Sequence, residues 1–430
     1  MQKLSQLQKN ILSGTFVHGL NISLLFISYP IYISFLGIEQ FSVWILISII
    51  ISFAQFGDFG IGKAIINYTS FLFNSDNKKE ILSVIVNGIS IVIFISIIIQ
   101  IIINLFLNTI INLLNIPPIY HNDAYNAIPL IGISIFTFLL YDSLANVIAG
   151  IGRIDKYNLL LLLLNILKTS LTIIFLYLNP NIISMVFGII ISNTLFLIII
   201  ITWLIKIKII YLNNLNDVKI KLPIISKLIK YGLPVFGIQL VNIFMFPFIK
   251  IIISKIFGIQ YVGYFELSTK SAYSIRTLFE KGLTALLPEY SKFANNNKNS
   301  IDQLKRIANS FTFKIIIYFL PVFSILILLS KYFLKTWLQS NYNNNVFWGF
   351  LLLQPGIIIS LISLPSYYAL MGIRKHYHCF IESLIRLALT IILFYYFKSF
   401  IINYNIIFIL ISIIVIISNT YIMVIFKRIN

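Results

Sequence analysis

The chain has little of what a soluble enzyme is built from. Of its 430 residues only 13 are acidic, and charged residues of both signs make up 10%, where soluble domains carry about 25%. Its one cysteine, Cys379, excludes an intramolecular disulfide. The four histidines, His18, His121, His376 and His378, are scattered, the last two in a basic loop. There is no HExxH, no phosphate-binding Gly-Lys loop and no Cys–His cluster, so no catalytic constellation, cofactor or metal is expected. Long loops are missing on the side poor in lysine; the longest runs from about Lys331 to Asn345, too little to house an active site. The polar start MQKLSQLQKN leads into an apolar run with no small-residue cleavage site, so no signal peptide is expected.

What is abundant is apolar sequence: 59% of residues are hydrophobic, and mean hydropathy is +0.95. Runs of spanning length follow one another from end to end. In a bilayer such runs are helices, because a helix satisfies its own backbone polar groups. The expectation is an all-α membrane protein of about twelve transmembrane helices. The first span is read near Ile11–Leu36, the second near Phe41–Phe73, the seventh near Gly232–Phe257, the eighth near Tyr261–Phe293 and the ninth near Phe311–Leu329. The net charge of +19 would point to nucleic acid on a soluble chain. Here lysine and arginine favour one set of loops by about twenty to four, which is the positive-inside imbalance. It puts both termini in the cytoplasm, and no nucleic-acid partner is expected.

The stretch from Phe35 to Ser70 organises the rest. It opens on a glycine turn with Glu39, becomes a long apolar helix, and is interrupted by Phe56-Gly57-Asp58-Phe59-Gly60-Ile61-Gly62-Lys63. Asp58 lies about 21 Å beyond Trp44 along a helix, inside a hydrocarbon core about 30 Å thick. Two readings stay open: a helix break with a locally satisfied acid, or the wall of a wet cavity. Part of the stretch recurs. Phe35-Leu36-Gly37-Ile38-Glu39-Gln40-Phe41 resembles Ile256-Phe257-Gly258-Ile259-Gln260-Tyr261-Val262, 221 residues on. Gly152-Arg153-Ile154-Asp155-Lys156-Tyr157 resembles the run from Gly372 to Tyr377 at nearly the same shift. The pattern implies duplication into two six-helix lobes, 1–204 and 232–430. A cytoplasmic linker at 205–231 joins them, its segment KIKLPIISKLIKYGLP suited to an anionic lipid surface. An even number of spans per lobe makes this a parallel repeat, with an axis along the membrane normal and a site at the interface.

Polar residues inside the apolar runs are the candidate functional groups. In the eighth span, Glu266, Lys270, Tyr273, Thr277, Glu280 and Thr284 follow alternating steps of four and three and form one helical stripe, flanked by Arg276 and Lys281. Such a stripe cannot face lipid; it faces water or a neighbouring helix. His18, Asn21, Ser28 and Tyr32 form a milder version in the first span, where Pro30 predicts a kink. Gln239, Asn242 and Lys250 lie on one side of the seventh. Lys168 shares a face with Asn165 and Thr172, and Glu382 and Arg386 have the spacing to pair on their own helix. Helix-to-helix bonding accounts for these last as well as ligand contact does.

Leu36-Gly37 followed by Trp44, then Phe56-Gly57-Asp58-Phe59-Gly60-Ile61-Gly62-Lys63-Ala64 and Asn67, resembles the Wzx-type O-antigen and polysaccharide flippases. These belong to the multidrug/oligosaccharidyl-lipid/polysaccharide exporter superfamily. Tyr231-Gly232-Leu233-Pro234 opens the second half in the same style, and Gly150-Ile151-Gly152-Arg153 closes the fourth span. The resemblance implies a two-lobed transporter rather than an enzyme. It would pass an undecaprenyl-diphosphate-linked oligosaccharide, an O-antigen or capsule repeat unit, from the cytoplasmic to the periplasmic leaflet of a bacterial inner membrane by alternating access. Bilayer lipid and other polysaccharide-assembly proteins would be its partners. On this reading Lys63, Lys270 and Arg276 hold the diphosphate in a solvated cavity between the lobes. Tyr273 and Tyr32 contact sugars, Asn21 lines the cavity, and Asp58 and Glu266 couple an ion or balance charge. The cavity charges are nearly balanced, which departs from simple anion attraction. The alternatives are a drug or cation antiporter of the same fold, with Asp58 and Glu266 as ion sites, and a membrane polysaccharide polymerase or ligase, which would need a larger outer loop.

Overall fold

A computed structural model describes residues 6–54, 59–74, 78–207, 209, 220–283, 290, 298–373, 375–396 and 403–429. Every element among the described residues is helical. The first element, α1 (Gln6–Ala54), consists of two helical arms that meet at a break at Gly37, φ 70° and ψ 167°. That conformation is essentially restricted to glycine. After a turn with Phe59 and Gly60 at positive φ come α2 (Ile61–Asn74), α3 (Lys78–Leu105) and α4 (Leu107–Leu114), which ends in left-handed Asn115. Then follow α5 (His121–Gly150), α6 (Ile154–Leu178) and α7 (Ile182–Lys206), the last capped by the Asn181 side chain accepting from the Ser184 N–H at 2.8 Å. The stretch read as a linker is helical from Leu222 and runs unbroken into α8 (Leu222–Phe257). Gly258, at φ 95° and ψ 171°, separates α8 from α9 (Ile259–Leu283).

The remaining elements are α10 (Lys298–Lys314), a π-helical turn at Ile315–Phe319, α11 (Leu320–Leu338), α12 (Asn344–Gly372), α13 (Tyr377–Tyr396) and α14 (Tyr404–Arg428). Pro321 sits just after the π turn, where a missing N–H and a steric clash break helical bonding. The axes on either side bend by 45°.

The chain packs as two compact units. One comprises 1–243 with 249–260, and the other 244–248 with 261–430. In the first, α5 lies against α2, α3 and α7, and α1 runs along α6. A Cβ at Gly150 would come 2.8 Å from the Thr69 Cβ, so α5 can approach α2 closely only because that position is bare. The Lys221 N–H at the start of α8 donates to the buried Asn87 side chain of α3 at 2.7 Å. In the second unit α12 packs along α14, and the Gly356 N–H donates to Ser412 Oγ at 2.8 Å.

Among the described residues, eight helices are long and apolar enough to cross a membrane, or nine if the bent pair counts as one. One of them, Ser13–Phe53, is 41 residues long, about 60 Å of helix and twice the hydrocarbon thickness. Its two arms, either side of the Gly37 break, are the first expected span and the opening half of the second. The eighth expected span, α9, is too charged to stand among the eight. The outward faces carry large apolar side chains, such as Phe94 at 65% and Leu328 at 82% exposure. Surfaces of that kind are compatible with lipid and not with water, so this is a multi-pass membrane protein.

Candidate functional site

In the first unit, the polar residues of α1 meet α6. Asn165 Nδ2 donates to Asn21 Oδ1 at 3.0 Å, and Asn158 Nδ2 donates to Ser13 Oγ at 3.1 Å. The Tyr32 hydroxyl is in hydrogen-bonding reach of Thr169, Ser28 and Thr172. Asn21 and Tyr32, expected to line a cavity, thus engage a neighbouring helix. Lys168 is half-buried beside them on α6. Lys63 lies exposed in the first turn of α2, while Asp58 falls outside the described residues. So do the side chains of Gln239 and Asn242. The turn before α2 is shaped by contact with α8. A Cβ on Gly60 would stand 2.3 Å from the Gly232 carbonyl oxygen, and one on Gly232 would stand 2.5 Å from the Phe59 oxygen. Two backbones touch where the sequence shows only glycines.

One group in this unit was not singled out from the sequence. Glu39, two residues past the Gly37 break, accepts hydrogen bonds from Gln260 Nε2 at 2.5 Å and from the Tyr120 hydroxyl at 2.7 Å. Gln260 stands 221 residues on, at the position that the sequence resemblance between the two stretches aligns with Glu39. Nearby in sequence, Asn115 Nδ2 donates to the Ser254 carbonyl at 3.1 Å, and Ser254 Oγ donates to the Asn115 carbonyl at 3.0 Å. The likeness of the two sequence stretches was the available signal for Glu39.

In the second unit, the α9 stripe resolves into pairs. Glu266 is buried, and Lys270 Nζ lies 3.7 Å from its Oε1 with the lysine side chain 47% exposed. Arg276 Nη1 is 2.8 Å from Glu280 Oε2, and Arg276 Nε donates to Ser360 Oγ of α12 at 2.7 Å. The Tyr273 ring packs edge-on against Phe246, with centroids 5.5 Å apart. The serines and threonines between these charges, Ser268, Thr269, Ser271, Ser274 and Thr277, turn their hydroxyls back onto carbonyls of their own helix. Ser268 also reaches the Val346 carbonyl of α12 at 3.1 Å. On α13, Arg386 and Glu382 pair as their spacing predicts. Among the described residues the second unit therefore holds three acid–base pairs one helical turn apart, one on α13 and two on α9. Such an arrangement keeps charge inside an apolar bundle at low net charge.

Residues 34–347 match a family described as Polysaccharide biosynthesis protein. No curated protein is matched by the sequence. Among solved structures, the chain is similar to an inward-facing multidrug resistance MATE family transporter of the MOP superfamily. Their TM-score is 0.76 at 13% identity, over 96% of this chain and 97% of that one. An outward-facing structure of a MATE family transporter of the same superfamily gives 0.64 at 14%, over 99% and 98%. A MOP superfamily transporter from Pyrococcus furiosus, titled for the reverse polarity of its binding pocket, gives 0.68 at 14%, over 99% and 98%. At these identities the likeness is one of fold.

Proposed function

Because the chain belongs to the polysaccharide biosynthesis protein family and has the fold of MOP superfamily transporters, we propose that it is a Wzx-type flippase. Its substrate on this reading is an undecaprenyl-diphosphate-linked oligosaccharide, carried from the cytoplasmic to the periplasmic leaflet by alternating access. A diphosphate-sugar headgroup cannot enter hydrocarbon without losing its hydration, so the protein must offer it a polar path. The observation that carries the reading is on α9. Lys270 and Arg276 stand a turn and a half apart, each beside a glutamate, with Lys270 half open to solvent. Guanidinium and ammonium groups bind phosphoryl oxygens by charge-assisted bonds. Lys63, exposed on α2, extends the same chemistry, and Tyr273, Tyr32 and Asn21 are of the type that binds sugar hydroxyls. A cation antiporter is less well supported. Glu266, Glu280 and Glu382 each lie beside a base on their own helix, which weakens their pull on a cationic drug.

The reading includes the inner membrane as location, both termini in the cytoplasm, lobes at 1–204 and 232–430, and association with other polysaccharide-assembly proteins. The test is genetic and chemical. Deleting the gene should accumulate a lipid-linked oligosaccharide on the cytoplasmic side. Lys270→Ala or Arg276→Ala should abolish surface polysaccharide while the protein stays in the membrane. Glu at either position should do worse than Ala, because it repels the diphosphate as well as removing a donor. Lys270→Arg should retain part of the export. Normal export by the Ala and Glu variants would overturn the assignment.

A further inference from the structure

The basic apolar segment ahead of the second half of the sequence has no part in the flippase reading. In the structure it leads into and opens α8, and it belongs to the first unit. Its surface is divided. Leu228 is fully buried, with Ile224 and Ile225 half-buried beside it, whereas Leu222, Ser226, Lys227, Ile229 and Lys230 are exposed. At 3.6 residues per turn the exposed arc has an apolar edge, Leu222 and Ile229, and a basic edge, Lys227 and Lys230, with Ser226 between them. Ile220 and Lys221 continue both kinds of group ahead of the helix, with Ile220 at 63% and Leu222 at 77% exposure. No acid occurs between Asp217 and Glu266, and among the described residues Lys221, Lys227 and Lys230 form no ion pair. Two observations set the depth of this surface. The Lys221 N–H donates to Asn87 Oδ1 at 2.7 Å, and Asn87 lies about 9 Å along α3 from Ile81, near the start of that helix's apolar span. The segment is thus pinned close to the edge of the hydrocarbon. In addition, α8 has 36 residues, about 54 Å of helix, against a hydrocarbon core about 30 Å thick. The excess length has to lie at the boundary.

We propose that residues 220–230 form an interfacial foot that binds anionic phospholipid. Lys221, Lys227 and Lys230 take the headgroup phosphates, while Ile220, Leu222 and Ile229 enter the acyl boundary. An exposed arc that sets large apolar side chains beside lysines suits neither water nor hydrocarbon. It suits the boundary between them, where the apolar groups are covered and each ammonium reaches the headgroups on its flexible stem. Charge chooses the lipid: three unpaired lysines with no acid among them attract an anionic headgroup, and each adds to the attraction. An acidic soluble protein would satisfy the lysines as well, but it would have to reach them at the hydrocarbon edge and cover the apolar edge too. The foot lies apart from the charges of α9 and does not depend on what the protein carries. Its consequence is regulatory, because the footing of the first unit then follows the anionic lipid content of the leaflet it stands in.

The experiment uses the full chain in nanodiscs of phosphatidylcholine, alone or mixed with phosphatidylglycerol. Retained lipid is read by native mass spectrometry and stability by melting temperature. Wild type should retain phosphatidylglycerol over phosphatidylcholine by about tenfold and melt higher in the mixed discs, and both effects should shrink as salt is added. Replacing all three lysines (Lys221→Gln, Lys227→Gln and Lys230→Gln) should remove most of the preference, and Arg at the same positions should keep it. Glycerol phosphate has the anion of the headgroup without the chains; it should neither compete nor stabilise. If it matches the lipid, the lysines serve a free phosphate ester and the foot is overturned. A second arm reads position. A fluorophore on Ser226→Cys (Cys379 is buried and stays unlabelled) should be quenched by lipid brominated close to the headgroup and shielded from aqueous iodide. Quenching by iodide alone would place the segment in water, facing a soluble partner, and overturn the foot. An unchanged phosphatidylglycerol preference in the Gln variant would overturn it as well. If that variant does not fold, the fluorophore decides.

Discussion

At the scale of single residues, two glycines carry a constraint that no side-chain contact imposes. Gly37 and Gly258 have nearly the same backbone, φ 70° and ψ 167° against φ 95° and ψ 171°. Nothing lies within 4 Å of where a Cβ would be at either one. Replacing either with alanine should therefore cost about 1–3 kcal/mol from backbone strain alone, read as a lower melting temperature in detergent. Gly60→Ala should cost more, because a positive φ is joined by a backbone collision with Gly232; a variant as stable as Gly37→Ala would contradict that close approach. Glu39 predicts a pH response. The Gln260 amide and then the Tyr120 hydroxyl hold its carboxyl below the usual carboxylate value of 4.5. A carboxyl depressed in the folded state contributes stability that is complete above its unfolded pKa and is lost as pH falls through the folded one. Melting temperature should thus fall in wild type as pH drops from about 5 toward 3, and Glu39→Gln should flatten that part of the decline.

At the scale of elements, α1 and α6 are joined by a ladder of small polar groups: Ser13 with Asn158, Asn21 with Asn165, and Tyr32 with Thr169 and Thr172. Single replacements within membrane bundles leave a partner unsatisfied, whereas removing both members is close to neutral. Asn21→Leu and Asn165→Leu should each destabilise, and the double variant should lose less than their sum. Coupling energies of this kind average about 0.6 kcal/mol in membrane bundles, and strict additivity would show that the bond contributes nothing. The α9 pairs behave differently. Glu266 pairs with Lys270 and Arg276 with Glu280 along one helix, and Arg276 is held in addition by Ser360 of α12.

At the scale of the whole molecule, orientation is a proposal from loop charge alone. A periplasmic-active reporter fused at Asn115 should be active, and one fused at Asn430 should be inactive, while a cytoplasmic reporter should show the reverse. The opposite result at either point would overturn the topology. The internal repeat is likewise a proposal from the sequence; a shift of 221 residues carries Glu39 onto the residue to which it is hydrogen-bonded.

Composition alone determined that this is a helical membrane protein, because apolar runs of spanning length have no other stable state in a bilayer. Spacing determined the pairs that lie on one helix, Glu266–Lys270 and Glu382–Arg386, because residues four apart face each other wherever the helix is placed. Glycines announced the breaks, because only they adopt those dihedrals. The tertiary structure decided everything that depends on how helices rotate and pack. Asn21 and Asn165 are 144 residues apart, and no sequence offset says that they bond. The contact of Arg276 with Ser360 was equally hidden: on the sequence the arginine has a partner one turn away, and only the packing of α9 against α12 brings the serine to it.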